Sequence, residues 1–224
     1  MSKGFLISFE GGEACGKSTQ IKKFQEYLKE KQIDFVCTRE PGGTELGEQI
    51  RNLLLHSKHD MTPETEFLLF SASRAKLVED FIKPALASNK LVVMDRYFDS
   101  SYTYQGHAGN LNVQDLKNIT EFAIKGAVPD ITFLLDISFE DGMKRKNNDD
   151  ALRNLDRIES KGKAYHDKVR EGYLKLAKEN PERIVVIDAS KSIDEVFKNI
   201  KTEFEKRYFK KNKSQQLKDF IIEK

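Results

Sequence analysis

The sequence predicts an α/β fold, with a doubly wound sheet of about five parallel strands flanked by helices. Five short apolar runs, rich in β-branched residues, are distributed along the 224 residues, and stretches with helical periodicity separate them. A glycine-rich loop connects the first run to the first helical stretch. Because such sheets bind ligands at the carboxyl ends of their strands, functional residues are expected where the apolar runs end.

The five apolar runs are the predicted strands, and each has the length and composition of a strand buried on both faces. In chain order they are Phe5–Phe9, Phe35–Thr38, Leu91–Met94, Ile131–Leu135 and Ile184–Ile187. Cys37 falls inside the second run, so its side chain is expected to be buried.

Capping signals mark where several of the predicted helices begin. Thr62 followed by Pro63 opens a long helix whose inward-facing apolar residues extend to Ile82. Asn112 caps the next helix, and residues 192–195 form a capping box before the last one. Helices therefore alternate with the strands, as a parallel sheet requires.

The composition is that of a soluble globular protein, with 33% charged and 38% hydrophobic residues. A formal net charge of +2 gives no indication of nucleic-acid binding. The two cysteines lack metal-ligand spacing, and neither a signal-peptide pattern nor a membrane-length apolar run is evident, so a cytoplasmic protein is expected. The expected organisation is one domain over residues 1–209, with a lid at about residues 143–157, and a basic tail over residues 210–224.

Residues 11–18 fit the phosphate-loop pattern of glycine, four residues, glycine, lysine, and serine or threonine. Glycines let successive backbone N–H groups face one anion, Lys17 brings a positive charge to the outer phosphates, and Ser18 offers a hydroxyl to Mg²⁺. The predicted strand before the loop and helix after it are the context that the motif requires. The fold is therefore predicted to be of the P-loop NTPase type. The predicted ATP-binding residues are Gly11, Gly12, Glu13, Ala14, Cys15, Gly16, Lys17, Ser18 and Thr19.

Polar clusters follow the predicted strands and should share one edge of the sheet. Residues 38–44 follow the second strand, residues 95–97 follow the third, and an arginine-rich segment at residues 144–157 comes after the fourth. Any one of them could be an ordinary surface turn, but their joint placement beside the phosphate loop indicates a site. A polar, basic segment between two helices suits a mobile lid over a phosphoryl-transfer centre.

From about Phe5 to Phe204 the chain resembles the thymidylate kinases, of the bacterial nucleoside-monophosphate kinase type. The resemblance rests on separate signatures in the same order along the chain. They are Phe9-Glu10-Gly11-Gly12-Glu13, Thr38-Arg39-Glu40-Pro41-Gly42-Gly43-Thr44, Phe70-Ser71-Ala72-Ser73-Arg74, Asp95-Arg96-Tyr97, Tyr104-Gln105-Gly106 and Asp156-Arg157-Ile158-Glu159. The resemblance implies a homodimeric enzyme that phosphorylates dTMP to dTDP with ATP and Mg²⁺, by direct in-line transfer, in deoxythymidine nucleotide synthesis.

The same resemblance implies roles in catalysis and in metal binding. Lys17 and the loop amides would hold the ATP phosphates, and Arg96 would bridge the donor and acceptor phosphates. Ser18 would ligate Mg²⁺, and Asp95 would orient the shell of ligands around the ion. The alternative is that Asp95 and Arg96 form a salt bridge with each other and have only a structural role.

A second set of implied roles concerns dTMP. Arginines would grip its phosphate through their planar guanidinium groups, and Phe70 would stack on the thymine ring. Arg74, four residues later on the same helix face, would donate to a thymine carbonyl, and Glu13 would approach the sugar 3′-hydroxyl, directly or through Mg²⁺. The implied dTMP-binding residues are Glu13, Arg39, Arg51, Phe70, Arg74, Arg96, Ser101 and Gln105.

The chain departs from the family in one respect. Some members carry a catalytic arginine inside the phosphate loop, whereas residues 13–15 here contain no basic side chain. The lid must then supply this charge, and Arg153 is the first candidate and Arg145 the second.

Two other functions stay open at this point. One is a kinase for another nucleoside or nucleoside monophosphate on the same fold. The other is a P-loop nucleotide switch, which would not need the pocket of Phe70, Arg74 and Gln105.

Helices near Phe67–Leu86 and Val113–Ile124 could supply the contact of a homodimer.

Overall fold

The computed structural model describes residues 4–145 and 156–222, with side chains described as far as residue 210. The strands are β1 (Phe5–Gly11), β2 (Phe35–Arg39), β3 (Leu91–Asp95), β4 (Ile131–Asp136) and β5 (Ile184–Asp188). They form one parallel sheet in the order β2-β3-β1-β4-β5. All five predicted strands are confirmed. Each extends one or two residues further at its carboxyl end, onto glycine, arginine or aspartate.

Helices connect the strands and cover the sheet. They are α1 (Lys17–Glu30), α2 (Glu45–His56), α3 (Pro63–Leu77), α4 (Lys83–Ala87), α5 (Phe98–Ser101), α6 (Val113–Ile124), α7 (Phe139–Arg145), α8 (Lys163–Glu179) and α9 (Ile193–Ile222). The helix predicted to open at Pro63 does so, with the Thr62 hydroxyl as its cap. It does not run straight to its end, because a π-helical turn at Val78–Ile82 separates α3 from α4. A second π-helical turn, Tyr102–His107, follows α5.

Besides a cluster around Leu134 of β4 and Tyr173 of α8, the core has two apolar layers on opposite faces of the sheet. β1 lies between them, because Ile7 and Phe9 belong to the layer of α1 and α9, whereas Leu6 belongs to the layer of α3. Phe24 of α1 and Phe204 of α9 meet edge to face, with ring centroids 5.0 Å apart. The central strand is thus held from both sides, which fixes the position of the loop that follows it.

The expectation that Cys37 is buried is wrong. Its strand, β2, is the edge strand of the sheet, and Cys37 is exposed there in a groove beside Ile21 and Gln25 of α1. The apolar run was recognised correctly, but burial on both faces holds for a central strand and not for an edge strand. Cys15, by contrast, is buried.

The last helix continues past the end of the predicted domain. α9 runs from Ile193 to Ile222, so residue 210 lies within a helix rather than at its end. The division of the chain at that residue stays a prediction.

Within the described residues, no helix combines the length and the apolar character needed to span a membrane.

Candidate active site

The phosphate loop connects the end of β1 to the start of α1. Gly16 caps α1 in the left-handed region, with φ of 89°, and a Cβ on Gly11 would lie 2.5 Å from the carbonyl oxygen of Leu135 on β4. Gly16 is therefore required by its backbone conformation, and Gly11 is required because the Leu135 carbonyl oxygen approaches it closely. Lys17 begins α1, and its Nζ atom lies 3.4 Å from the Gly12 carbonyl oxygen. The loop that the motif predicts is present in this structure.

A cavity of about 500 Å³ opens on one side of this loop. Its lining includes residues 13–20 of the loop and of α1, together with Arg145, Ala189 and Lys191. The guanidinium of Arg145 donates to the carbonyl oxygens of Ala189 (2.6 Å) and Ser190 (2.7 Å), after β5. Arg145 thus lines this cavity beside the loop, whereas Arg153 lies outside the described residues.

A second cavity, of about 230 Å³, opens on the other side of the loop. It brings together most of the residues predicted to contact dTMP, phosphate or metal. These are Glu13, Lys17, Ser18, Arg51, Phe70, Arg74, Asp95, Arg96, Ser101 and Gln105. Arg39 lies outside it, in the groove that also contains Ser18 and Asp95, and pairs with Glu48 at 3.0 Å.

Arg74 is a buried cation at the wall of the smaller cavity. Its Nε atom donates to the carboxylate of Glu40 at 2.9 Å, and Nη2 donates to the Ser101 hydroxyl at 3.0 Å. Burial raises the pKa of Glu40, and the charge of Arg74 acts against that rise. The Nη1 atom of Arg74 is buried and has no hydrogen-bond partner among the described residues. The sequence indicated Arg74 but gave no role to Glu40, which positions it.

Gln105 is also fixed by a buried carboxylate that the sequence did not indicate. Its Nε2 atom donates to Glu66 of α3 at 3.1 Å. Glu66 accepts from Arg157 (2.6 Å) and Lys161 (3.0 Å), which come from the segment after residue 155. Burial acts to raise the pKa of Glu66, but hydrogen bonds from Arg157, Gln105 and Lys161 lower it overall.

Arg96 pairs with Glu13 rather than with Asp95. Its Nη2 atom lies 2.7 Å from the Glu13 carboxylate, and Nη1 donates to the Gly11 carbonyl oxygen at 2.9 Å. Tyr104 donates a further hydrogen bond to Glu13 at 2.7 Å. Burial opposes ionisation of Glu13, but Arg96 and Lys17 lower its pKa to about 2. The carboxylate is thus charged at neutral pH, and it extends from the phosphate loop toward Arg96 and Tyr104.

The site can therefore bind two phosphorylated molecules from opposite sides of one loop. Lys17 lines both cavities, Arg96 and Arg51 line the smaller one, and buried groups that can read a base lie deeper in it. Tyr104 could have been recognised from its place beside Gln105 in a family signature. No sequence signal pointed to Tyr173 of α8, whose hydroxyl lies 3.3 Å from Arg96 Nη1.

Comparison with known proteins shows which family the chain belongs to. The sequence model of the Thymidylate kinase family matches residues 9–200. A thymidylate kinase from Thermoanaerobacter sp. strain X514 is 46% identical over 198 residues, which cover 88% of this chain and 96% of that relative. The thymidylate kinase of Chlorobaculum tepidum is 45% identical over 201 residues, which cover 87% and 94% of the two chains. The chain belongs to the thymidylate kinase family.

Proposed function

We propose that the 230 Å³ cavity holds dTMP and the 500 Å³ cavity holds ATP, so that the phosphorylation of dTMP to dTDP takes place at the phosphate loop between them. The observation that carries this assignment is the unpartnered Nη1 atom of Arg74. A buried guanidinium N–H needs an acceptor, and the cavity it lines is where one can be supplied.

Thymine meets the requirements of the deep end of this cavity. Its carbonyl oxygen accepts from Arg74, whereas cytosine presents an amino group at the corresponding position and leaves the arginine unpartnered. Gln105 donates its N–H group to Glu66, so its amide oxygen is available to the N3–H of thymine. Phe70 lines the same cavity and offers a ring face for stacking.

The phosphate of dTMP would lie toward the phosphate loop. Arg51 lines this cavity, and Arg39 lies in the neighbouring groove that shares Ser18 and Asp95 with it, which supports a role for both in binding that phosphate. Glu13, held by Arg96 and Tyr104, would accept from the sugar 3′-hydroxyl.

The residues present suit Mg²⁺ as the metal that accompanies ATP. The hydroxyl of Ser18 and the carboxylate of Asp95 line the same cavity beside the loop. Mg²⁺ takes few protein oxygens and fills its remaining positions with phosphate oxygens and waters. When bound, the ion would supply neutralisation of charge on the ATP phosphates.

The transfer needs alignment and charge more than it needs a base. The attacking oxygen of dTMP is already ionised at neutral pH, so no side chain has to remove a proton. Lys17 and Arg96 hold the two phosphates and neutralise the charge that spreads over the transferred group. Arg145 lines the ATP cavity and would add to this charge, and Arg153 is the further candidate from the lid.

We also propose that the enzyme acts as a homodimer in the cytoplasm. Large apolar side chains are exposed on α2, α3 and α6, helices that pack side by side in the order α2-α3-α6. They are Leu46, Leu53, Leu68, Val113 and Phe122. Exposed apolar patches of this kind mark interfaces between protein chains.

Both cysteines are free, as a reducing compartment favours.

A coupled assay of ADP formation across a panel of acceptors tests the proposed function. The panel is dTMP, dUMP, dGMP, CMP and thymidine, each with ATP and Mg²⁺. We expect dTMP to give the highest kcat/KM and CMP to give turnover near background. Preference for another acceptor would indicate a different nucleotide kinase. ATP turnover that no acceptor changes would indicate a nucleotide switch instead.

A further inference from the structure

Arg96 occupies a backbone conformation that something else must hold in place. Its φ is 63°, in the left-handed region that a residue with a side chain adopts only at a cost. Its own N–H donates to the Phe9 carbonyl oxygen of β1 at 3.0 Å. The next N–H group, that of Tyr97, donates to the Glu10 carboxylate at 2.7 Å. The turn that carries Arg96 is therefore fixed by two consecutive residues of β1.

Glu10 is fully buried and uses its second carboxylate oxygen on two hydroxyl groups. Ser100 donates to this oxygen at 2.7 Å, and Tyr173 donates to it at 2.8 Å. The two hydroxyl oxygens are themselves 2.8 Å apart. The three donors to Glu10 are all neutral, and they come from the turn after β3, from α5 and from α8.

The same two hydroxyl groups lie against the guanidinium of Arg96. Nη1 of Arg96 is 3.4 Å from the Ser100 oxygen and 3.3 Å from the Tyr173 oxygen. When Glu10 is ionised it accepts both hydroxyl protons, and both oxygens then present lone pairs to the arginine. If Glu10 could not accept them, the protons would be free to turn toward the cation and repel it.

We propose that Glu10 is a positioning residue for the phosphoryl-transfer reaction, which holds Arg96 through the Tyr97 amide and through the hydroxyl pair of Ser100 and Tyr173. The inference rests on the proposed role of Arg96 between the two phosphates. Glu10 itself lines neither the dTMP cavity nor the ATP cavity, so it acts on the reaction only through these contacts.

Glutamine is the informative substitution at this position. It has the shape of glutamate and can still accept from the Tyr97 amide. Its NH₂ group, however, donates where the carboxylate oxygen accepted, which reverses the polarity toward Ser100 and Tyr173. Burial and the nearby Asp99 raise the pKa of Glu10 to about 7, so assays at pH 8 keep the wild-type carboxylate ionised.

The experiment measures kcat and both Michaelis constants for Glu10→Gln at pH 8. A misplaced arginine at the reacting phosphates should lower kcat by about tenfold or more, while the KM for ATP changes by less than about twofold. Tyr173→Phe, which removes one of the two hydroxyl groups, should lower kcat in the same direction. The matched control is Glu205→Gln, because Glu205 accepts a similar 2.7 Å bond from Tyr27 away from both cavities, and it should leave kcat unchanged.

Measuring the effect of Glu10→Gln with and without Arg96 distinguishes a positioning role of Glu10 from a general loss of structure. In an Arg96→Lys background, Glu10→Gln should change kcat by less than about twofold, since the group that it positions is already gone. The inference would be overturned if Glu10→Gln lowered kcat in the Arg96→Lys background as much as it does in the wild type. It would also be overturned if Glu10→Gln alone kept the wild-type kcat. Should Glu10→Gln not fold, Tyr173→Phe in both backgrounds decides by the same criteria. Wild-type activity with dTMP is measured first, so that failure of the proposed function is seen separately.

Discussion

The Arg74–Glu40 pair shows how one residue in the site is prepared before any ligand arrives. Both side chains are almost completely buried, and the carboxylate and the Ser101 hydroxyl fix two of the three guanidinium nitrogens. The third nitrogen has no hydrogen-bond partner among the described residues, and we propose that the base supplies one. Because the arginine is held in place by the fold, binding of the base requires little further ordering of this side chain.

Removing Arg74 should weaken dTMP binding more than ATP binding. We expect Arg74→Ala to raise the KM for dTMP by the equivalent of about 1.5–3 kcal/mol, the cost of losing a hydrogen bond to a charged donor. The KM for ATP should change little. The substitution also leaves Glu40 buried and unpaired, so Glu40→Gln and the double variant serve as controls. Equal losses for the two substrates would show that Arg74 is structural.

Glu13 should make the stability of the protein depend on acid pH. Its pKa is lowered from 4.5 to about 2, so the stability it contributes is present above pH 4.5 and is lost as the pH falls through 2. This loss amounts to about 3 kcal/mol in the free energy of unfolding. Urea denaturation of the wild type and of Glu13→Gln should give curves that converge toward pH 2. Parallel curves would show that the ion pair with Arg96 carries no such stability.

At the scale of elements, Glu66 joins α3 and the π-helical turn at Tyr102–His107 to the segment that follows residue 155. It lies on α3, and it binds Gln105 together with Arg157 and Lys161. The same segment is attached to α2, because the backbone N–H of Arg157 donates to the Leu55 carbonyl oxygen at 3.2 Å. One carboxylate therefore fixes Gln105, the proposed base-recognition residue, together with a wall of the proposed dTMP cavity.

Glu66→Gln should loosen both of these attachments. We expect the KM for dTMP to rise and the backbone amide of Arg157 to exchange its hydrogen faster, since a buried carboxylate with two cationic partners is lost. Hydrogen exchange measured by mass spectrometry, alongside steady-state kinetics, checks both. Lys163→Ala, which removes an exposed ion pair with Asp167, is the control. Unchanged exchange at Arg157 would mean that the segment is held by other contacts.

The elements themselves could be predicted from the sequence, whereas the contacts between them could not. The strands were recognisable because each is a short apolar run, and the caps at Thr62 and Asn112 because their signals are local. Glu40 and Glu66 escaped notice because their partners lie 34 or more residues away in the chain. The exposure of Cys37 depended on the strand order, which apolar runs do not specify.

At the scale of the whole molecule, the exposed apolar residues of α2, α3 and α6 predict the assembly. Phe122 is the clearest case, with 81% of its surface exposed. We expect Phe122→Glu to shift sedimentation equilibrium toward the monomer, because a charge would be buried at the contact. Phe209→Glu, an exposed aromatic on α9, is the control and should leave the assembly unchanged. If both variants remained dimeric, the contact would have to lie on another surface. If the wild type were monomeric, the proposal of a homodimer would be wrong.

The π-helical turn at Tyr102–His107 has a consequence for how this site tolerates insertions and deletions. Four consecutive residues of the turn, from Thr103 to Gly106, are buried, and neighbours in the chain serve different parts of the site. The Tyr104 hydroxyl reaches Glu13 at the phosphate loop, while the Gln105 amide reaches Glu66 on α3. A π-helical turn holds one residue more than an α-helical turn. Loss of a single residue here would therefore rotate one of the two side chains away from its partner, although neither residue itself had been replaced.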